Sequence, residues 1–219
     1  MLYFSSGTKT AFCAILIALL GRVAFAQDPQ TKEAKGLPPR ATPGDYQASA
    51  KAGEITVAAE FKGHSVPTPE GVFTTEDFVA VEIGLFGPSG APVKVSHDDF
   101  SLRVNGKKTP TPAQPYAAVF KSLKDPEWIP PNAAEAKGSK TSINGGGGDG
   151  SKPALAKMPV ELERAMDQKV RKVALPEGDR NFPEAGLIFI EYRGKESGIR
   201  SLELIYSGSA GKATLTLQP

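Results

Sequence analysis

Residues 78–90 read Phe-Val-Ala-Val-Glu-Ile-Gly-Leu-Phe-Gly-Pro-Ser-Gly. Val79, Val81, Ile83 and Leu85 recur at every second position, the period of a strand with one face in a core. The run ends at Gly87-Pro88-Ser89-Gly90, a composition that turns the chain. Upstream, Ile55, Val57, Ala59 and Phe61 share a face, with Glu54, Thr56 and Glu60 on the other. Downstream, a short strand around Val93–Val95 precedes Phe100, Leu102 and Val104, which alternate into Asn105-Gly106. That dipeptide is a strong hairpin signal because both residues tolerate positive φ. The return strand is expected over Lys107–Thr109, stopped by Pro110 and Pro112.

The C-terminal part has the same style. Leu187, Phe189 and Glu191 alternate with Ile188, Ile190 and Tyr192, so this strand is expected to be buried on both faces. Leu202, Leu204 and Tyr206 follow, then a turn at Gly208–Gly211, then Leu215 and Leu217. Short strands separated by frequent turns predict a mainly β protein, a sandwich or a barrel. Two helical stripes interrupt the pattern. Tyr116, Val119, Phe120 and Leu123 stand at i, i+3, i+4 and i+7 behind Pro115; Leu162, Met166, Val170 and Val173 form the second stripe behind Pro159. Glu161 and Glu163 at its start and Lys169, Arg171 and Lys172 at its end suit the helix dipole.

The ends and the composition set the compartment. Lys9, the apolar run Ala11–Leu20 and the small-residue site Ala24-Phe25-Ala26 predict a secretory signal peptide over residues 1–26. The apolar run holds 10 residues, against roughly 20 needed to cross a bilayer. No stable membrane insertion is therefore expected after cleavage, and the location is read as periplasmic or secreted. The one cysteine, Cys13, lies within that segment, so the chain from Gln27 can form no disulfide. Lys9 and Arg22 also fall there, which leaves 24 of the 26 basic residues against 24 acidic ones. A balance near zero argues against nucleic acid as a partner. Residues 27–44 are polar and Pro-rich and read as a disordered linker. The domain proper is expected over 45–219, with an insertion at 110–173 whose stretch 132–157 is of low complexity.

The run Asp99-Phe100-Ser101-Leu102-Arg103-Val104-Asn105-Gly106-Lys107-Lys108, with Phe78–Leu85 before it, resembles an element of immunoglobulin-like accessory domains in bacterial exported proteins. Leu175-Pro176-Glu177-Gly178, Gly186-Leu187-Ile188-Phe189 and Leu202-Glu203-Leu204-Ile205-Tyr206 are similar to the matching C-terminal element. The resemblance covers roughly 46–109 and 174–218. It is to uncharacterised exported proteins of soil bacteria related to acidobacteria, and more distantly to the mycobacterial immunoprotective extracellular protein and its relatives. It implies an immunoglobulin-like β-sandwich of about seven strands and carries no catalytic residue.

Chemical signatures are weak. Ser209 follows Ser207 where a nucleophile elbow needs Gly, and Ser89 is followed by Ala91 where the closing Gly belongs. Gly145–Gly148 with Ser151-Lys152 has the reverse of the phosphate-loop order and no preceding strand. His97-Asp98-Asp99, with His64 and Glu60, offers metal-ligand types, yet neighbours in an extended segment point to opposite sides. A turn ahead of Phe100 accounts for His97-Asp98-Asp99 as well. Among 24 acids no pair is singled out for glycoside chemistry. No catalytic residue, cofactor or committed metal site is expected. Trp128, in Asp125-Pro126-Glu127-Trp128-Ile129-Pro130, is either an exposed anchor or a lid on the core. With Tyr116 and Phe120 it forms the partner-binding candidate set.

The leading expectation is a non-catalytic exported binding or structural module whose partner is an envelope protein or polymer. The alternatives are an envelope hydrolase with its site in the insertion, and a metal-handling protein using His64 and His97. Export is checked by intact mass after expression in a secreting host: the expected chain begins at Gln27, and a full-length mass in the membrane fraction would refute the signal.

Overall fold

A computed structural model describes residues 34–131 and 156–219. The expected signal peptide and most of the low-complexity stretch lie outside them. The described chain is mainly β, with 13 strands and two α-helices. Eight strands form one sheet in the order β1 (Ala48–Ala52), β2 (Ile55–Gly63), β5 (Phe78–Phe86), β11 (Glu184–Glu191), β8 (Thr111–Gln114), β7 (Phe100–Val104), β12 (Leu202–Gly208), β13 (Gly211–Leu217). All its pairs are antiparallel. Pairing thins to two residues where β11 meets β8, Phe189 opposite Gln114 and Ile190 opposite Ala113. β8 also pairs with β7 through two residues only, Thr111 and Pro112, so this short strand links the two halves of the sheet. The outer strands β1 and β13 lie side by side, and the Gln47 side-chain amide donates to the Gln218 carbonyl at 2.9 Å.

Alternation fills the space between the halves. Val57, Val79, Val81, Ile83, Leu85, Ile188 and Ile190 meet Phe100, Leu102, Leu202, Leu204, Tyr206, Leu215 and Leu217 in one buried cluster. Each such aliphatic or aromatic side chain is stabilising by about 1.5–3 kcal/mol through burial. These positions are the ones the alternation in the sequence marks.

The other face of β5 and β11 is covered as well. Phe78, Ala80, Leu187 and Phe189 point there and join a second buried cluster. Its cover is a three-stranded sheet, β3 (Ser65–Thr68), β4 (Gly71–Thr75) and β9 (Leu123–Lys124), together with α1 (Tyr116–Val119) and α2 (Val160–Val173). A further ribbon pairs β6 (Pro92–Val95) with β10 (Gly178–Asn181). A Cβ on Gly186 would come 2.4 Å from the Leu175 Cα, so glycine is what lets residues 174–175 cross β11 so closely.

Farther along the same outer face the chemistry changes. Glu60 on β2 stands directly opposite Glu82 on β5, and Glu82 is 7% exposed. Two like charges in that register repel. Arg40 Nη2 lies 2.6 Å from Glu60 and 2.7 Å from Glu82, and Lys62 Nζ lies 2.5 and 3.0 Å from the same carboxylates. The hydrogen bond to Glu82 pushes the Arg40 guanidinium up from its ordinary value, against the effect of burial. For Glu60 burial pulls upward, but bonds from Lys62 and Arg40 outweigh it and leave the carboxyl below its usual range. Arg40 also stacks over the Tyr46 ring at 4.5 Å. Tyr46 fits because residue 84 is glycine; a Cβ there would sit 2.6 Å from the ring.

These contacts correct two expectations. The expected disordered linker 27–44, whose residues 27–33 lie outside the described ones, is ordered from Leu37 onward: with Tyr46 it forms a strap over 37–46 anchored by Arg40, Tyr46 and a bond from the Leu37 amide to the Ala185 carbonyl at 2.8 Å. Low hydrophobicity suggests disorder there, but the buried Glu82 beside the half-buried Glu60 draws a second cation, Arg40, in addition to Lys62 on β2. The sandwich also does not end at Thr109. Asn105 and Gly106 do take φ of 54° and 64°, but the return strand is β8, beginning at Thr111 and containing Pro112. β8 belongs to the main sheet, so the segment expected as an insertion from residue 110 begins inside the fold. Asn105 also ties the hairpin to the loop before β12. Its side-chain oxygen accepts from the Arg200 amide at 2.7 Å, and its side-chain amide donates to the Gly198 carbonyl at 2.9 Å.

Arg40→Ala is expected to lower stability by about 2 kcal/mol, as for lost charge-assisted bonds. Hydrogen exchange should show residues 37–46 deprotected while β5 keeps its protection; unchanged exchange in the strap would refute its anchoring.

Candidate functional site

The candidate surfaces lie in the covering layer. α2 begins after Pro159, carries Glu161 and Glu163 in its first turn and Arg171 and Lys172 in its last, and buries Met166, Val170 and Val173. Leu162, expected on the same stripe, is 49% exposed instead. The stripe Tyr116–Leu123 is helical only over α1 and then tightens into a 3-10 turn over Phe120–Ser122 before β9. Val119 and Leu123 are buried, whereas Tyr116 and Phe120 are packed less completely against the second cluster.

Trp128 is placed by its own local sequence. The Asp125 carboxylate accepts from the Glu127 amide at 2.9 Å, and the Trp128 amide donates to the Asp125 carbonyl at 3.2 Å. This is the turn that Asp-Pro favours. Trp128 stays half-exposed on an open groove of about 630 Å³ with Phe120, Leu123, Met158 and Met166. Lys121, Lys124 and Lys157 alternate there with Asp125 and Glu163. Of the partner-binding candidates, Trp128 and Phe120 share this groove. Tyr116 does not.

Tyr116 lines a second cavity, of about 220 Å³, beside the seam between β11 and β8. Its phenol donates to the Asp167 carboxylate, and burial, then that bond, pushes the phenol well above its ordinary range. Arg171 reaches the same carboxylate at 3.0 Å and lies over the Tyr116 ring at 5.7 Å. Gln114, His97 and Glu177 complete the polar lining, above Leu187 and Phe189. Sequence reading missed Gln114, Arg171 and Glu177, because residues this far apart converge only through the sheet.

The two histidines are not brought together. His97 begins the 3-10 turn His97–Asp99, where the Ser96 hydroxyl caps the Asp98 amide at 3.2 Å. His97 hydrogen-bonds Glu177 through its ring and its amide. Burial raises the Glu177 carboxyl, but those bonds outweigh it and hold the group below its usual range. Burial, then Asp98, pushes Asp99 above its own. The His64 ring nitrogens face two carbonyls, Phe78 at 2.7 Å and Gly194 at 2.9 Å, of which a neutral ring donates to one, and the ring stacks on Tyr192. Among the described residues no three His, Cys, Asp or Glu side chains cluster as metal ligands, and no helix is long and apolar enough to cross a membrane.

No known protein family, curated protein or solved structure matches the chain. The double variant His64→Ala/His97→Ala is expected to leave metal content unchanged and to lower stability by about 2 kcal/mol, the worth of one ring hydrogen bond from each histidine. Elemental analysis and denaturant unfolding check both; a stoichiometric metal lost in the variant would refute it.

Proposed function

We propose that this chain is a non-catalytic binding module of the bacterial cell envelope, exported by a signal peptide ending at Ala26 and built on an immunoglobulin-like sandwich. The groove at Trp128 takes an extended polypeptide segment bearing apolar side chains. The observation that carries this reading is where apolar surface stays in water. The exposed large hydrophobic residues among those described are Val72, Ile129, Val160 and Leu162, with Ile129 at 75%. Val72, Val160 and Leu162 lie on β4 and α2 of the covering layer and Ile129 in the segment after β9, and Ile129, Val160 and Leu162 lie within two positions of residues that line the groove. Exposed apolar surface gathered in one region and rimmed by charge is typical of a protein-binding site.

The rim narrows the choice of partner. Three lysines interleave with two carboxylates, and Lys124 is already engaged by Glu76. A polyanion needs a basic surface, whereas a polypeptide with apolar anchors and mixed polar flanks suits this rim. The sandwich supplies rigid support beneath it.

Trp128 is the chain's one tryptophan, so its emission reports on the groove directly. Unstructured peptides rich in Leu and Phe should shift that emission to shorter wavelength and saturate, while Ser-substituted versions should not. Met158→Glu, in the groove wall, should weaken the interaction at least about tenfold with the fold intact. Equal response to both peptide sets, or full retention in Met158→Glu, would refute the reading.

A further inference from the structure

The cavity beside the β11–β8 seam is separate from the Trp128 groove and has a different composition. It exists because β11 changes neighbours there. β8 pairs with Phe189 and Ile190 only, and two residues earlier a parallel bridge joins Leu187 to Ala174, with the Leu175 amide donating to the Leu187 carbonyl at 2.8 Å. The sheet forks around the gap. Leu187 and Phe189 form an apolar floor, and Arg171, Gln114 and the His97–Glu177 pair bring polar groups from separate elements. An apolar pocket with a few convergent polar groups is the usual form of a small-molecule site.

Arg171 is short of an acceptor. Among the described residues its Nε is the buried side-chain nitrogen or oxygen without a hydrogen-bond partner. Leaving such a donor unpaired is costly, since its water is lost and nothing replaces it. The guanidinium gives Nη2 to Asp167 at 3.0 Å and lies over the Tyr116 ring, so it is held in place with donors to spare. We propose that the fork binds a small organic monocarboxylate, with its carboxyl group on Arg171 and its apolar body on Leu187 and Phe189. A guanidinium matches the planar, two-oxygen geometry of a carboxylate. One fixed cation beside the Glu177 carboxylate suits a single negative charge and disfavours a phosphate dianion. The volume of about 220 Å³ exceeds the roughly 150 Å³ of an apolar cavity that takes benzene, which fits an aromatic or short-chain acid.

Benzoate, benzamide and benzylammonium share a shape and differ in charge, and amide chemical shifts of the full chain at Gln114, Leu175 and Leu187 report on all three. Benzoate should bind saturably, with the other two at least about tenfold weaker. Arg171→Gln should weaken benzoate by a similar factor. Because that variant also loses the Asp167 pair, Glu177→Gln supplies a change of opposite sign: removing a carboxylate from the same cavity should tighten benzoate several-fold, which a damaged fold cannot do. Absence of benzoate binding, equal binding of the three probes, retained affinity in a folded Arg171→Gln, or weaker binding in Glu177→Gln would each overturn the proposal.

Discussion

Backbone pairing of β5 with β11 sets Leu187 beside Glu82 and Phe189 beside Ala80, and apart from the end residues Phe86, Glu184 and Glu191 both sides of that pair of strands are buried. A single sandwich would bury one side and wet the other. Here the inner side is filled by β7, β12 and β13, so the outer side needs its own cover. Among the described residues that cover comes from the three-stranded sheet, both helices and the N-terminal strap. The layer is therefore a consequence of two-faced strands rather than an appendage to a complete domain.

The cover is of two kinds because the outer face is. Over Phe78, Ala80, Leu187 and Phe189 it is apolar, made by Val66, Phe73, Val119, Met166, Val170 and Val173. Over Glu60 and Glu82 it is ionic, made by Arg40 and Lys62. Apolar cover gains from removing area from water and depends little on salt. The ionic cover offsets a desolvation cost and a like-charge repulsion, so its net worth is smaller. Its value is specific placement, since among the described residues only Arg40 brings a cation to both carboxylates from outside β2. The strap from Leu37 to Tyr46 is consequently the part of the layer most open to change by charge and ionic strength.

Both candidate surfaces arise where this cover is incomplete. The sandwich interior is closed, with its large side chains nearly inaccessible. The groove at Trp128 opens between β9 and the start of α2, and the smaller cavity opens where β8 leaves the edge of β11. One is wide and apolar, suited to a chain. The other is small and holds an arginine, suited to a single charged group. A rigid sandwich under a partial second layer positions both without contributing its own core.

Local sequence determined the strands that carry the interior. Val79, Val81, Ile83 and Leu85, then Leu202, Leu204 and Tyr206, alternate with period two, and Ile188 and Ile190 between Leu187 and Phe189 already mark a strand buried on both faces. Asn105-Gly106 specified its turn, and Asp125-Pro126 placed Trp128, because both act through neighbouring backbone atoms. Strands β1, β3, β4, β8, β9 and β10 were not legible, since they are short and owe their burial to distant partners. The same holds for the strap. Residues 27–44 are polar, and only the register that sets Glu60 against Glu82 gives Arg40 a reason to be ordered. The meeting of Gln114, Arg171 and Glu177 was likewise decided by tertiary structure alone. Periodicity records which side of an element faces a core, but carries no information about which residue from elsewhere in the chain arrives on the other side.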